Sequence, residues 1–128
     1  MSSCLCKTDY RLMQPIPTNA FSIAIERLKT QGPTPISPCS ENGDGRLLLC
    51  AAAAVAAAGF EMSGGRDGRE AFESDLREKP EGGRVQAAFR QLGWPIRTCK
   101  LIFHYNDSLP AATRQNGVIE YLTSLAHG

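Results

Sequence analysis

Apolar residues along this chain recur mainly three or four positions apart, and glycine or proline punctuates the intervals between such runs. Phe21, Ala24, Ile25 and Leu28 form the first stripe, after Pro15-Ile16-Pro17 and before Gly32-Pro33, with Thr18 or Asn19 placed to cap it. The interval 33–45 holds Pro33, Pro35 and Pro38, then Asn42-Gly43-Asp44-Gly45. Proline withholds backbone donors and the Asn-Gly and Asp-Gly pairs favour tight turns, so this reads as a loop with room for one short hairpin. Residues 47–58 are apolar on every side, and positions 51–58 are all alanine except Val55. Alanine has the highest intrinsic helix propensity, and a helix apolar all round must be enclosed. Asp44 is the expected cap of this central helix and Gly59 its expected left-handed end.

Beyond a glycine-containing loop at 62–68, Asp67 is placed to cap a short helix carrying Ala71, Phe72 and Leu76, which stops at Pro80. Val85, Ala88, Phe89 and Leu92 predict another helix, closed by Gly93. Pro95 suits the start of the next, with Ile96, Cys99 and Phe103 on one side, although the alternation in 101–105 also fits a short strand. Val118, Tyr121, Leu122 and Leu125 mark a last amphipathic helix, with Thr113 as its cap and Asn116-Gly117 a poor start. The pattern predicts a mainly α fold, a compact bundle of about five to six short helices around a central Ala-rich helix. Residues 1–17 lack any period and are expected to form an extended N-terminal arm, with 18–128 a single helical domain.

Composition narrows this picture. The length of 128 residues suits one domain, and much of the 42% hydrophobic content is alanine, which favours close helix packing over a broad β core. A net charge of +1 argues against a general nucleic-acid surface, for which Arg11, Arg97, Lys100 and Arg114 would be the contacts. The charged run 66–84 interleaves both signs, as a solvated face or a polar docking surface does. Five cysteines, an odd number, do not suggest a secreted disulfide framework. Residues 1–10 lack an apolar leader, and no apolar run approaches the roughly 20 residues of a membrane span. A cytoplasmic protein in a reducing setting, with no membrane partner, is the expectation.

Candidate chemistry is sparse. The glycine-rich segments 42–45 and 63–68 have neither phosphate-loop nor dinucleotide-loop spacing. Cys4 and Cys6, with Cys39 and Cys99, lack the paired knuckles of a structural zinc site, so neither metal nor cofactor is expected. Cys50 lies near a helix start, where partial positive charge lowers a thiol pKa. With His104 and Asn106 downstream, it follows the Cys, His, Asn order of papain-like enzymes, which defines an alternative reading as a cysteine-dependent hydrolase. Against it, a cap at Asp44 would leave Cys50 beyond the first turn, and His104 and Asn106 are too close in sequence for independent placement. Trp94, between Gly93 and Pro95, is expected to pack a corner, and His127 to face solvent. The preferred reading is a non-catalytic module that binds another protein through His104, Tyr105, Asn106, Asp107 and Thr113, a polar corner joining two helices.

The order of a first helix, Gly45-Arg46-Leu47, an Ala-rich helix, Tyr105-Asn106-Asp107, Thr113 and then Val118, Leu122 and Ala126 resembles an uncharacterised small helical domain family of bacteria and their phages. The resemblance covers about residues 18–126 and departs at Asn116-Gly117, where the family pattern favours an acidic residue. It implies a helical fold and a bacterial or phage origin, and no mechanism. If the gene is phage-borne, the protein-binding reading takes the specific form of an inhibitor of a host defence protein, in the manner of anti-CRISPR proteins.

Overall fold

The computed structural model describes residues 14–36 and 38–127; most of the expected arm, including Cys4, Cys6 and Arg11, lies outside the described residues. The elements are α1 (Thr18–Gln31), β1 (Cys39–Glu41), β2 (Leu47–Leu49), α2 (Ala51–Glu78), α3 (Gly82–Leu92), α4 (Ile96–Ser108) and α5 (Ala111–His127). This is the mainly α bundle expected, with one antiparallel hairpin pairing Cys39 with Leu49 and Glu41 with Leu47. No described helix is long and apolar enough to cross a membrane.

The turn chemistry at 42–46 makes the hairpin. Asn42 Oδ1 accepts from the amides of Asp44 (2.9 Å) and Arg46 (3.0 Å), and Gly45 takes a positive φ of 79°. Asp44 therefore belongs to the turn and caps no helix. Leu47–Leu49, expected to open the central helix, form β2 instead. The outer edge of β2 is closed by side chains of α1. Gln31 Nε2 donates to Leu49 O (2.8 Å), its Oε1 accepts from Leu49 N–H (3.0 Å), and Arg27 Nη2 donates to Leu47 O (3.1 Å). These bonds give β2 the backbone partners that a third strand would supply.

The helix proper starts at Ala51, with Cys50 as its N-cap. Positions 51–58 are at most 3% exposed, enclosed by α1, α3, α4 and the hairpin. Gly59 does not end the helix. A Cβ there would lie 2.5 Å from the Trp94 ring and 2.7 Å from Leu92 Cδ1, so glycine is needed for close approach. The break comes at Gly65, whose φ of 66° and ψ of −159° belong to a region open essentially to glycine alone. The chain folds back there. The Phe60 and Phe72 ring centroids are 5.2 Å apart, whereas a continuous helix would separate them by about 18 Å along its axis. Gly68 lies so close to Phe60 that a Cβ would stand 2.6 Å from the Phe60 carbonyl oxygen. An ion-pair chain holds the returning half: Arg27 to Glu73 (2.8 Å), Glu73 to Arg69 (3.8 Å) and Arg69 to Glu61 (3.6 Å).

The later elements follow the pattern closely. Gly93 closes α3 in the left-handed conformation, and Trp94 packs the corner edge-on to Phe89 at 5.6 Å. Residues 101–105 are helical, not a strand. Pro17 and Pro110, not Thr18, Asn19 or Thr113, stand immediately before α1 and α5, where their missing N–H costs nothing. Gly117 is interior to α5, where Leu109 Cδ1 would lie 2.5 Å from any Cβ.

Candidate functional site

The residues expected to carry chemistry are distributed over different faces of α4 and different depths of the molecule. Asn106 is fully buried and acts as a polar hub. Its Oδ1 accepts from the first amide of α2, Ala51 N–H (3.0 Å), and its Nδ2 donates to Pro35 O (3.1 Å) and Asp107 Oδ1 (2.9 Å). Both amide protons are thereby engaged. Arg114 completes the hub, donating to the carbonyls of Asn106 (3.1 Å), Thr34 (3.1 Å) and Leu109 (2.9 Å). This arrangement ties the proline loop to α2, α4 and α5.

Cys50 is also fully buried. As N-cap its sulfur accepts from Ala53 N–H at 3.5 Å, yet desolvation outweighs that amide and pushes the thiol up to about 12 from an ordinary value near 9. The thiol is protonated at neutral pH. His104 is exposed, and among the described residues no hydrogen bond joins it to Cys50. It lines a shallow groove of about 390 Å³ between α3 and α4 with Gln86, Lys100, Phe103 and Asp107. Tyr105 turns the other way and stacks on Tyr121 at 4.4 Å, while Thr113 is exposed in the first turn of α5, its hydroxyl donating to Pro110 O (3.5 Å). The helical period explains the separation: neighbours on a helix point about 100° apart, so four consecutive residues cannot share one face.

Cys39 is half-buried on β1 and Cys99 is buried in α4, and among the described residues no three His, Cys, Asp or Glu side chains gather as a metal site. Arg97 and Lys100 are exposed on α4, whereas Arg114 is committed to the hub.

A larger concavity than this one lies elsewhere. A groove of about 510 Å³ runs between the returning half of α2, residues 66–78, and α3. Its floor is apolar, made by Phe60, Phe72, Leu76 and Ala88, and Ala71 and Ala87 line its walls. Asp75, Glu81 and Arg84 stand at its rim. Among the described residues none of these three side chains enters an ion pair, although Arg66, Arg69, Glu70, Glu73 and Arg77 on the same helical half all do. In the sequence the charged run 66–84 reads as a solvated or docking face, and the groove beside it is not evident there. Its signal was the recurrence of small residues at helical spacing, Gly68 and Ala71 in one segment and Gly83 and Ala87 in the next.

No family model, curated protein or solved structure matches this chain.

Proposed function

We propose that this chain is a non-catalytic protein-binding or regulatory module that docks on another protein through the groove between residues 66–78 and α3. The carrying observation is the groove's construction: an apolar floor rimmed by Asp75, Glu81 and Arg84, whose charges are left without ion-pair partners among the described residues. Apolar cores with polar rims characterise protein interfaces. This reading moves the docking surface from the polar residues of 104–107 to the opposite flank of α3. A buried thiol near pKa 12 also disfavours the cysteine-hydrolase alternative, which needs an accessible thiolate at Cys50.

The specific form of the proposal is a phage-borne or mobile-element inhibitor of a host defence protein, acting in the bacterial cytoplasm. The family resemblance supports this setting. Of the residues that carry it, Asn106, Val118 and Leu122 are buried, Tyr105 and Ala126 are half-buried, and Asp107 and Thr113 are exposed.

The test is a photo-crosslinking residue at Ala87 of the full chain, compared with the same residue at Glu26 on α1, in host cells. A discrete adduct is expected from position 87 and not from 26. The captured protein, once purified, should form a stoichiometric complex that Ala87→Trp abolishes. Equal labelling from both positions, or a complex indifferent to Ala87→Trp, overturns the assignment.

A further inference from the structure

The two walls of the groove share a geometry that specifies what fits between them. From α2 the lining positions are 68, 71, 72, 75 and 76, and from α3 they are 83, 84, 87, 88 and 91. Each set is one stripe of a helix, so the groove is the furrow between two neighbouring helices joined by the short connection 79–81. Such a furrow accepts a third helix by ridge-into-groove packing at interaxial distances of about 8–10 Å. Close approach needs small side chains on the walls, and Gly68, Ala71, Gly83 and Ala87 provide them.

The charges are unevenly placed along the furrow. Asp75, Glu81 and Arg84 lie at the end nearest the 79–81 connection, while Phe60, Gly68 and Gln91 make the other end uncharged. Two carboxylates against one guanidinium leave the charged end acidic on balance. A partner surface seated there must present cations to Asp75 and Glu81, or bury carboxylates without compensation.

We infer that the partner element recognised by this groove is an amphipathic α-helix, with apolar residues at i, i+3 or i+4, and i+7, and Lys or Arg at the end that meets Asp75 and Glu81. The inference rests on the proposed docking role and adds the chemical class of the partner segment. It describes helix-in-groove recognition, in which the apolar stripe supplies affinity and the charged end sets direction.

The test is selection from a phage-displayed library of random peptides of about 16 residues, roughly 24 Å as a helix. The full-length protein serves as bait, with Ala87→Trp as counter-selection. The expected consensus has the helical apolar spacing and a basic end. Its synthetic version should bind the wild type at least tenfold more tightly than Ala87→Trp. The bait carrying both Asp75→Lys and Glu81→Lys should select an acidic end instead. A proline-rich or extended consensus, a helical consensus whose charge ignores the double reversal, or no Ala87-sensitive binder overturns the inference. If the cellular partner is still lost on Ala87→Trp while the library fails, the docking role stands and only the helix class falls.

Discussion

The two halves of α2 share a secondary structure and little else. Positions 51–58 are enclosed on every side, whereas residues 66–78 bury only Phe72 and Leu76. In the first half, methyl-sized side chains let several elements approach at once, and no surface remains for a partner. In the second, one apolar stripe and the ion-pair chain through Glu73 and Arg69 hold the helix to the body, while Arg66, Glu70 and Asp75 stay exposed. Enclosure ties the first half to stability, and partial burial leaves the second open to the proposed partner. Substitutions in the two halves should therefore separate folding from function.

The largest effect is expected where the enclosed half begins. Asn106→Ala leaves the buried Ala51 N–H and the half-buried Pro35 O without their side-chain partner, and a buried group so orphaned costs on the order of 1–3 kcal/mol. A loss of about 3 kcal/mol in urea denaturation is expected. A loss below about 1 kcal/mol would mean that water replaces the amide, and that this end of α2 is less enclosed than its burial indicates. Gly59→Ala, at the other end, drives a methyl group against Trp94 and Leu92. Overpacking of that kind should cost about 2 kcal/mol and perturb Trp94 fluorescence.

Alkali probes the same enclosure through Cys50. Its native pKa of about 12 exceeds the ordinary value near 9, so the native state keeps a proton that the unfolded chain releases. The stability from this thiol is complete below pH 9 and declines as pH rises toward 12, with a limiting slope of about 1.4 kcal/mol per pH unit. Denaturation of the reduced protein at pH 8, 9 and 10 should show that decline, and Cys50→Ala should remove this thiol's share. Equal slopes for the two proteins would show that Cys50 is solvated.

Much of this division was legible in the amino-acid sequence, and the failures are instructive. The alanines at 51–58 identified the enclosed helix, and Val85, Ala88 and Phe89 with Gly93 identified α3, because local propensity, period and turn chemistry agreed there. Gly59 and Asp44 were misread because their roles depend on distant partners: Trp94 presses against one, and the Asn42 turn absorbs the other. Tyr105-Asn106-Asp107 reads as one polar cluster, yet helical rotation sends Tyr105 to Tyr121 and Asn106 into the core. The groove was invisible because it exists only after the chain reverses at Gly65, which no local pattern distinguishes from its neighbour Gly64.

That reversal can be weakened by itself. At Gly65 a side chain would face a φ of 66°, although no atom lies near the added Cβ. Gly65→Ala should therefore cost about 1 kcal/mol through backbone strain alone. Hydrogen exchange should report the loss mainly in residues 66–78, with 51–58 still protected. Equal deprotection of both halves would show that they unfold as one unit, and the comparison would then hold for surface exposure and fail for stability.

The smallest change in stability should accompany the largest change in binding. Ala87 is exposed on the wall of the groove, facing space rather than core. Ala87→Trp should shift urea stability by no more than about 0.5 kcal/mol, as surface substitutions usually do. The indole would nevertheless occupy the furrow in which the proposed partner docks. A variant that folds like the parent and no longer docks would separate the two halves of α2 more cleanly than any destabilising substitution, because nothing in the enclosed half has been touched. A variant that loses stability in proportion to binding would place Ala87 in the core's energetics and return the proposed docking surface to the exposed residues of α4.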